Sequence, residues 1–106
     1  DIESLQNIDK KLTLEIEFEN QMINLVTKIG GNNTNNFIKR IFGRLFTNQL
    51  ATKYSWTGFR NDCQLQNLNL IKIIKNIALK TFNSTEIEFE NHVKNWFRHG
   101  QQRLNR

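Results

Sequence analysis

Leu12-Thr13-Leu14-Glu15-Ile16-Glu17-Phe18-Glu19-Asn20-Gln21-Met22-Ile23-Asn24-Leu25-Val26-Thr27-Lys28-Ile29 carries two incompatible periodicities, and the choice between them decides the fold. In its first part Leu12, Leu14, Ile16 and Phe18 alternate with Thr13, Glu15 and Glu17, which alone reads as a strand. From Phe18 onward the apolar positions are Phe18, Met22, Leu25, Val26 and Ile29, the spacing of one helix face. The helical reading prevails. Thr13 is available as a cap, and Glu15, Glu17 and Glu19 crowd a first turn where the helix dipole favours negative charge. Gly30-Gly31 then ends the helix.

The neighbours of this stretch read the same way. Upstream, Ser4 is placed to cap a short first helix reaching about Leu12. Downstream, Asn32 to Asn36 is a polar turn in which Thr34 or an adjacent Asn caps a third helix. That helix buries Phe37, Ile38, Ile41, Phe42, Leu45 and Phe46 and presents Lys39, Arg40, Gly43 and Arg44 on its outer side. Thr47 caps a short fourth helix through Leu50 and Ala51, Tyr54 to Gly58 forms a turn, and residues 59–66 read as a loop. A fifth helix from about Asn67 to Lys80 buries Leu70, Ile71, Ile74, Ile77 and Ala78. A last one, opened by the capping-box pair Thr85 and Glu88, carries Phe89, Val93, Trp96, Phe97 and Leu104 on one stripe. With no proline in the chain, the expectation is an all-α, compact single domain of five to six helices spanning residues 1–106. The hexapeptide Glu-Ile-Glu-Phe-Glu-Asn occurs at 15–20 and again at 86–91, but the similarity fades on either side, so no repeat architecture is read from it.

Composition narrows the function classes. A length of 106 residues matches one domain, and eight Phe with two Trp supply a core despite a hydrophobic fraction of 38%. No apolar run approaches the roughly 18 residues of a membrane span, so no membrane association is expected. The start at Asp1 suggests a module excised from a larger protein. One cysteine, Cys63, excludes an internal disulfide and fits a reducing compartment. The net charge of +5 is uneven: residues 1–20 hold six acids and two bases, residues 21–82 nine bases and one acid, residues 83–106 four bases and three acids. The middle of the chain is the cationic part, which favours a polyanionic partner.

Three constellations bear on function. Lys39, Arg40 and Arg44 lie together around Gly43, where a backbone can approach closely, in a stretch from Ile23 to Arg60 without a carboxylate. An ordinary solvated face accounts for the same cations, although such faces usually mix signs. The last helix carries Lys94, Arg98, Arg103 and Arg106 with His99 and several carboxamides, side chains able to read base edges; cations at a helix C-terminus also simply complement the dipole. Trp56, in a turn, reads as a residue folded back onto the core rather than a stacking platform. His92 and His99 are seven apart with no cysteine or acid triad at ligand spacing around them, so no metal site is expected. Neither a nucleophile motif nor a phosphate-binding loop is present, so no enzyme and no cofactor is expected.

The run Leu45-Phe46-Thr47-x-x-Leu50-Ala51-x-x-Tyr54-Ser55-Trp56-x-Gly58, preceded by Gly30-Gly31 and closed by Trp96-Phe97-Arg98, resembles a metazoan, insect-rich domain of unknown function with that signature. The resemblance spans roughly residues 5–104 and implies no assigned activity. More distantly, the order of a basic helix, Leu-Phe-Thr-x-x-Leu-Ala, a Gly turn, an apolar-basic helix and an Arg-ending helix resembles the BEN domain, although the Tyr-Ser-Trp turn and the loop at 59–63 depart from its pattern. BEN domains are helical chromatin modules, several of which bind DNA through the last helix and neighbouring loops while others mediate protein contacts. The resemblance thereby implies Lys94, Arg98 and Arg103, with Arg60 in the preceding loop, as contact residues. The expectation is a nuclear, non-catalytic module binding double-stranded DNA through Lys39, Arg40, Arg44, Arg60, Lys94, Arg98 and Arg103. The alternative is a protein-interaction or homodimerisation module, with Phe59 or surplus apolar width on the third helix as the contact.

Overall fold

The structure, a computed structural model, describes residues 1–59 and 62–105. The alternating stretch is helical on both sides of one break. α1 (Ile2–Leu14) and α2 (Ile16–Ile29) flank Glu15, whose φ of −124° and ψ of 105° are extended. The alternation fills no sheet face among the described residues: Leu14 and Ile16 are 80% and 78% exposed. The caps differ from expectation. Asp1 rather than Ser4 caps α1, its carboxylate accepting from Ser4 N at 2.7 Å. Thr13 belongs to α1, and α2 opens without a side-chain cap, carried by Glu17 and Glu19 in its first turn.

Gly30, at φ 53°, ends α2. Gly31 follows because a Cβ there would lie 2.7 Å from the Phe37 backbone. Asn33 then caps α3 (Thr34–Leu45), accepting from Asn36 N at 2.9 Å. Phe37, Ile38, Ile41 and Phe42 are all at most 1% exposed, and α3 packs against α2 and against the two long helices that follow. Thr47 accepts from Leu50 N at 3.0 Å and caps α4 (Asn48–Ala51), as read from the sequence.

Within the segments read as a turn and a loop, β1 (Tyr54–Ser55) and β2 (Cys63–Gln64) form a two-residue parallel pair in the register Tyr54 to Cys63; the remaining described residues of both segments are turn or irregular. Gly58, at φ 80°, lies in the connection between them. Strands of two residues carry no periodicity, so nothing local announces them. Trp56 is half-buried against the core, as expected.

α5 (Asn69–Phe82) has no acid in its first turn and no cap of its own. Its N-terminus is satisfied from α1: Asp9 accepts from Asn69 N at 3.1 Å and from Leu70 N at 2.9 Å. Thr85 accepts from Glu88 N at 3.1 Å and starts α6 (Glu86–Arg98), which buries Phe89, Val93, Trp96 and Phe97. The expected long last helix breaks at His99. α7 (Gly100–Leu104) turns away to pack on α4, and Gly100 sits where a Cβ would lie 3.4 Å from that of Ala51. Leu104 is consequently 43% exposed rather than part of the buried stripe.

The result is an all-α single domain of five helices of 12–14 residues and two short ones, among the described residues. Its radius of gyration, 13.2 Å, is that of one body, about 13 Å for this length. Phe42, Phe46, Tyr54, Trp96 and Phe97 form an aromatic cluster with ring centroids 4.9–6.5 Å apart that joins α3, β1 and α6.

Two predictions follow from the packing. Asp9→Ala leaves the first amides of α5 unpaired and is expected to lower stability by about 1–2 kcal/mol in urea unfolding, with Asp9→Asn losing less. Tyr54, 3% exposed, has its phenol pushed up to about 12, first by burial and then by Cys63 and Asp9. Its folded pKa lies above the unfolded value of 10.0, so the unfolded chain releases this proton first and stability falls from about pH 10 to pH 12, by on the order of 2 kcal/mol. Among the described residues its hydroxyl has no hydrogen-bond partner, so Tyr54→Phe is expected to match the parent at pH 7 and to flatten that alkaline loss.

Candidate nucleic-acid interface

The basic side of α3 divides along two stripes. Asn35, Lys39 and Gly43 succeed one another at intervals of four residues and face a groove of about 530 Å³ between α3 and the α6–α7 corner. Arg40 and Arg44 lie on the adjoining stripe, and Arg40 Nε donates to Ile29 O at 3.3 Å, reaching back over the end of α2. Lys39, Arg40 and Arg44 are exposed, and none has a carboxylate within ion-pair distance among the described residues.

The opposite wall is built by the break at His99. Helical spacing puts His92, Asn95 and Trp96 on the groove side of α6, and the turn into α7 adds His99, Gln102 and Arg103. His99 Nδ1 is 2.7 Å from Asn95 O, which fixes the imidazole at the corner. Asn48 of α4 closes the end. Arg103 is held rigidly: its guanidinium carbon lies 3.8 Å from the centre of the Trp96 ring, and Nε donates to Asn48 Oδ1 at 3.0 Å. The groove therefore offers two cations, two imidazoles and four carboxamides. Among its described lining residues there is no carboxylate, serine or cysteine.

Lys94 and Arg98 lie elsewhere. One turn apart on α6, they face a second hollow of about 710 Å³ beside Trp56, Phe59 and Asp62. Lys94 is 3.7 Å from Glu90 in an intrahelical pair, whereas Arg98 is exposed. Arg60, expected in the same contact set, and Arg106 lie outside the described residues. Of the cations singled out in the sequence, the fold thus brings Lys39 and Arg103 together in one groove and Lys94 and Arg98 in another, with Arg40 and Arg44 on the shoulder of the first. Sequence reasoning does not place Asn35, Asn48 or His92 in the groove, because they join it only when α3, α4 and α6 pack.

Among the described residues no group of three His, Cys, Asp or Glu is placed to hold a metal ion, and no helix is long and apolar enough to cross a membrane.

Fold and site together define a small helical domain with a cationic, carboxamide-rich groove. The chain belongs to the family of the domain of unknown function DUF4806, whose model matches residues 1–90. The match takes in α1 to α5 and ends within α6, so Asn35, Lys39, Gly43 and Asn48 lie inside it. No curated protein and no solved structure matches the chain.

Arg103→Ala removes both the stacking on Trp96 and the bond to Asn48. Urea unfolding is expected to register a loss of about 1–2 kcal/mol, and Arg103→Lys should recover little, since an ammonium reproduces neither the planar stack nor the forked donor geometry.

Proposed function

We propose that this domain is a non-catalytic DNA-binding module of a nuclear, chromatin-associated protein, lying on duplex phosphates through the groove between α3 and the α6–α7 corner. The observation that carries the reading is the chemistry of the groove. In a chain with ten acids, its described lining is made of cations, imidazoles and carboxamides, the donor set that contacts phosphate oxygens and base edges. Arg44 and Arg40 extend the positive surface along α3, and Lys94 and Arg98 offer a second contact line on the far side of α6. The resemblance to the BEN domain supports the same assignment, with α6 and α7 together in the place of its last helix. The resemblance to the insect-rich domain with the Tyr-Ser-Trp-x-Gly signature is compatible with it and adds no activity. The groove's described lining includes no carboxylate, serine or cysteine.

A protein contact is the second reading, and one observation favours it. Leu14 and Ile16 stand 80% and 78% exposed on either side of the Glu15 break, and Phe59 is 66% exposed. The width of the α3 stripe no longer contributes, because its apolar residues are buried apart from the half-buried Leu45. A concentration-dependent mass in light scattering after size exclusion would favour this reading over the first.

Fluorescence anisotropy with a labelled duplex tests the first reading. Affinity is expected to fall linearly on a log–log salt plot, by about 0.9 per neutralised phosphate. Lys39→Gln is expected to reduce that slope by about 1, and the double reversal Lys39→Glu with Arg44→Glu to weaken binding by at least about tenfold at low salt. Unchanged affinity in the double reversal would show that α3 takes no part in binding.

A further inference from the structure

Four of the five glycines have a reason inside the chain. Gly30 and Gly58 adopt positive φ, Gly31 is pressed against the Phe37 backbone, and Gly100 faces Ala51. Gly43 is different. It lies within α3, a turn beyond Lys39, in ordinary helical conformation and exposed, and a Cβ built on it would meet nothing within 4 Å. An exposed glycine in a helix interior costs stability relative to alanine through the extra freedom of the unfolded chain. No packing, turn or strain among the described residues offsets that cost, and Gly43 lies in the wall of the groove.

We propose that Gly43 is a contact point for a duplex phosphodiester strand, kept bare so that the strand seats against the α3 backbone between Lys39 and the α6–α7 corner. The inference rests on the DNA-binding reading and adds where the strand lies and which surface it touches. Lys39 supplies charge from the next turn of the same stripe, while His99 and Gln102 supply donors from the facing wall. The occupant is a backbone rather than an unstacked base. Trp96, the one indole among the groove's described lining, is 9% exposed and has its face covered by the Arg103 guanidinium, so it presents no open face for a base to stack on. Duplex DNA, which presents phosphates outward at regular spacing, fits that chemistry better than a single strand.

The test uses Gly43→Ala and Gly43→Leu, both good helix formers placed where the chain itself leaves room. Thermal unfolding is expected to show Gly43→Ala raised by about 4 °C. Duplex affinity in the anisotropy assay is expected to fall by at least about tenfold for alanine, whose methyl lifts the strand away from Lys39 and the facing donors, and further for leucine. The salt slope should stay at the parent value because no charge is removed. A gain in stability accompanied by a loss of binding cannot arise from unfolding. Parent-like affinity in both variants overturns the seating at Gly43 and leaves the DNA-binding reading intact. A lowered melting temperature in Gly43→Ala overturns it as well, by giving the glycine a structural reason. Tighter binding to the isolated strand than to the duplex overturns the choice of occupant. An absence of duplex binding by the parent domain overturns the reading and this inference together.

Discussion

Phe37, Ile38, Ile41 and Phe42 on one face of α3 are withdrawn from water almost completely, and the rest of the molecule is arranged to accomplish that. Burying side chains of this size is worth about 1.5–3 kcal/mol each relative to exposure, and no single neighbouring helix has the width to cover them. α2, α5 and α6 each cover part of the face, and the aromatic cluster around Phe42 and Phe46 locks α6 and β1 against the same helix. Burying one side of α3 exposes the other. The position of Lys39, Gly43 and Arg44 on the surface is therefore a consequence of the core, and the groove exists because α6 packs beside α3 and then turns at His99.

Polar bookkeeping at the helix ends explains why the helices stay in this arrangement. α1, α3, α4 and α6 are capped by residues immediately preceding them, Asp1, Asn33, Thr47 and Thr85, so each can begin locally. α5 cannot. Its opening sequence has neither a capping side chain nor an acid, and its free amides are met by Asp9, 60 residues away. That contact makes the start of α5 conditional on the docking of α1, and it places a carboxylate where the dipole of α5 is positive. A second long-range tie, the hydroxyl contact between Thr34 and Ser84, joins the start of α3 to the connection between α5 and α6. Helix ends are thus coupled to tertiary packing both at α5, which has no local cap, and at α3, which has one.

The uneven charge of the chain has a counterpart in the fold. The acidic first twenty residues supply Asp9 to α5 and the first-turn carboxylates of α2, whereas the acid-poor middle supplies α3 and one wall of the groove. Glu86 and Glu90 are engaged with Lys75 and Lys94, away from the groove lining. Carboxylates that serve as caps and pair partners leave the groove without a negative charge among its described lining residues, and a cationic surface of that kind is available to a polyanion.

Helix identity was legible wherever the apolar spacing ran for several turns, as at 37–46 and 70–78, because that spacing is the direct trace of a buried face. It was legible even through the misleading alternation at 12–18, because dipole-compatible acids and the longer helical run outweighed four alternating residues. The outward placement of Lys39, Arg40 and Arg44 followed from the same spacing. What the chain could not show locally was anything requiring two distant segments. The pairing of β1 with β2 depends on hydrogen bonds between segments about nine residues apart, and the capping of α5 depends on Asp9. The division of the cations between two grooves depends on the break at His99, where α7 leaves the α6 axis to seat Gly100 on Ala51. One-dimensional pattern records how each helix meets water. Which helix ends and which polar side chains face one another is settled only when the buried faces come together in space.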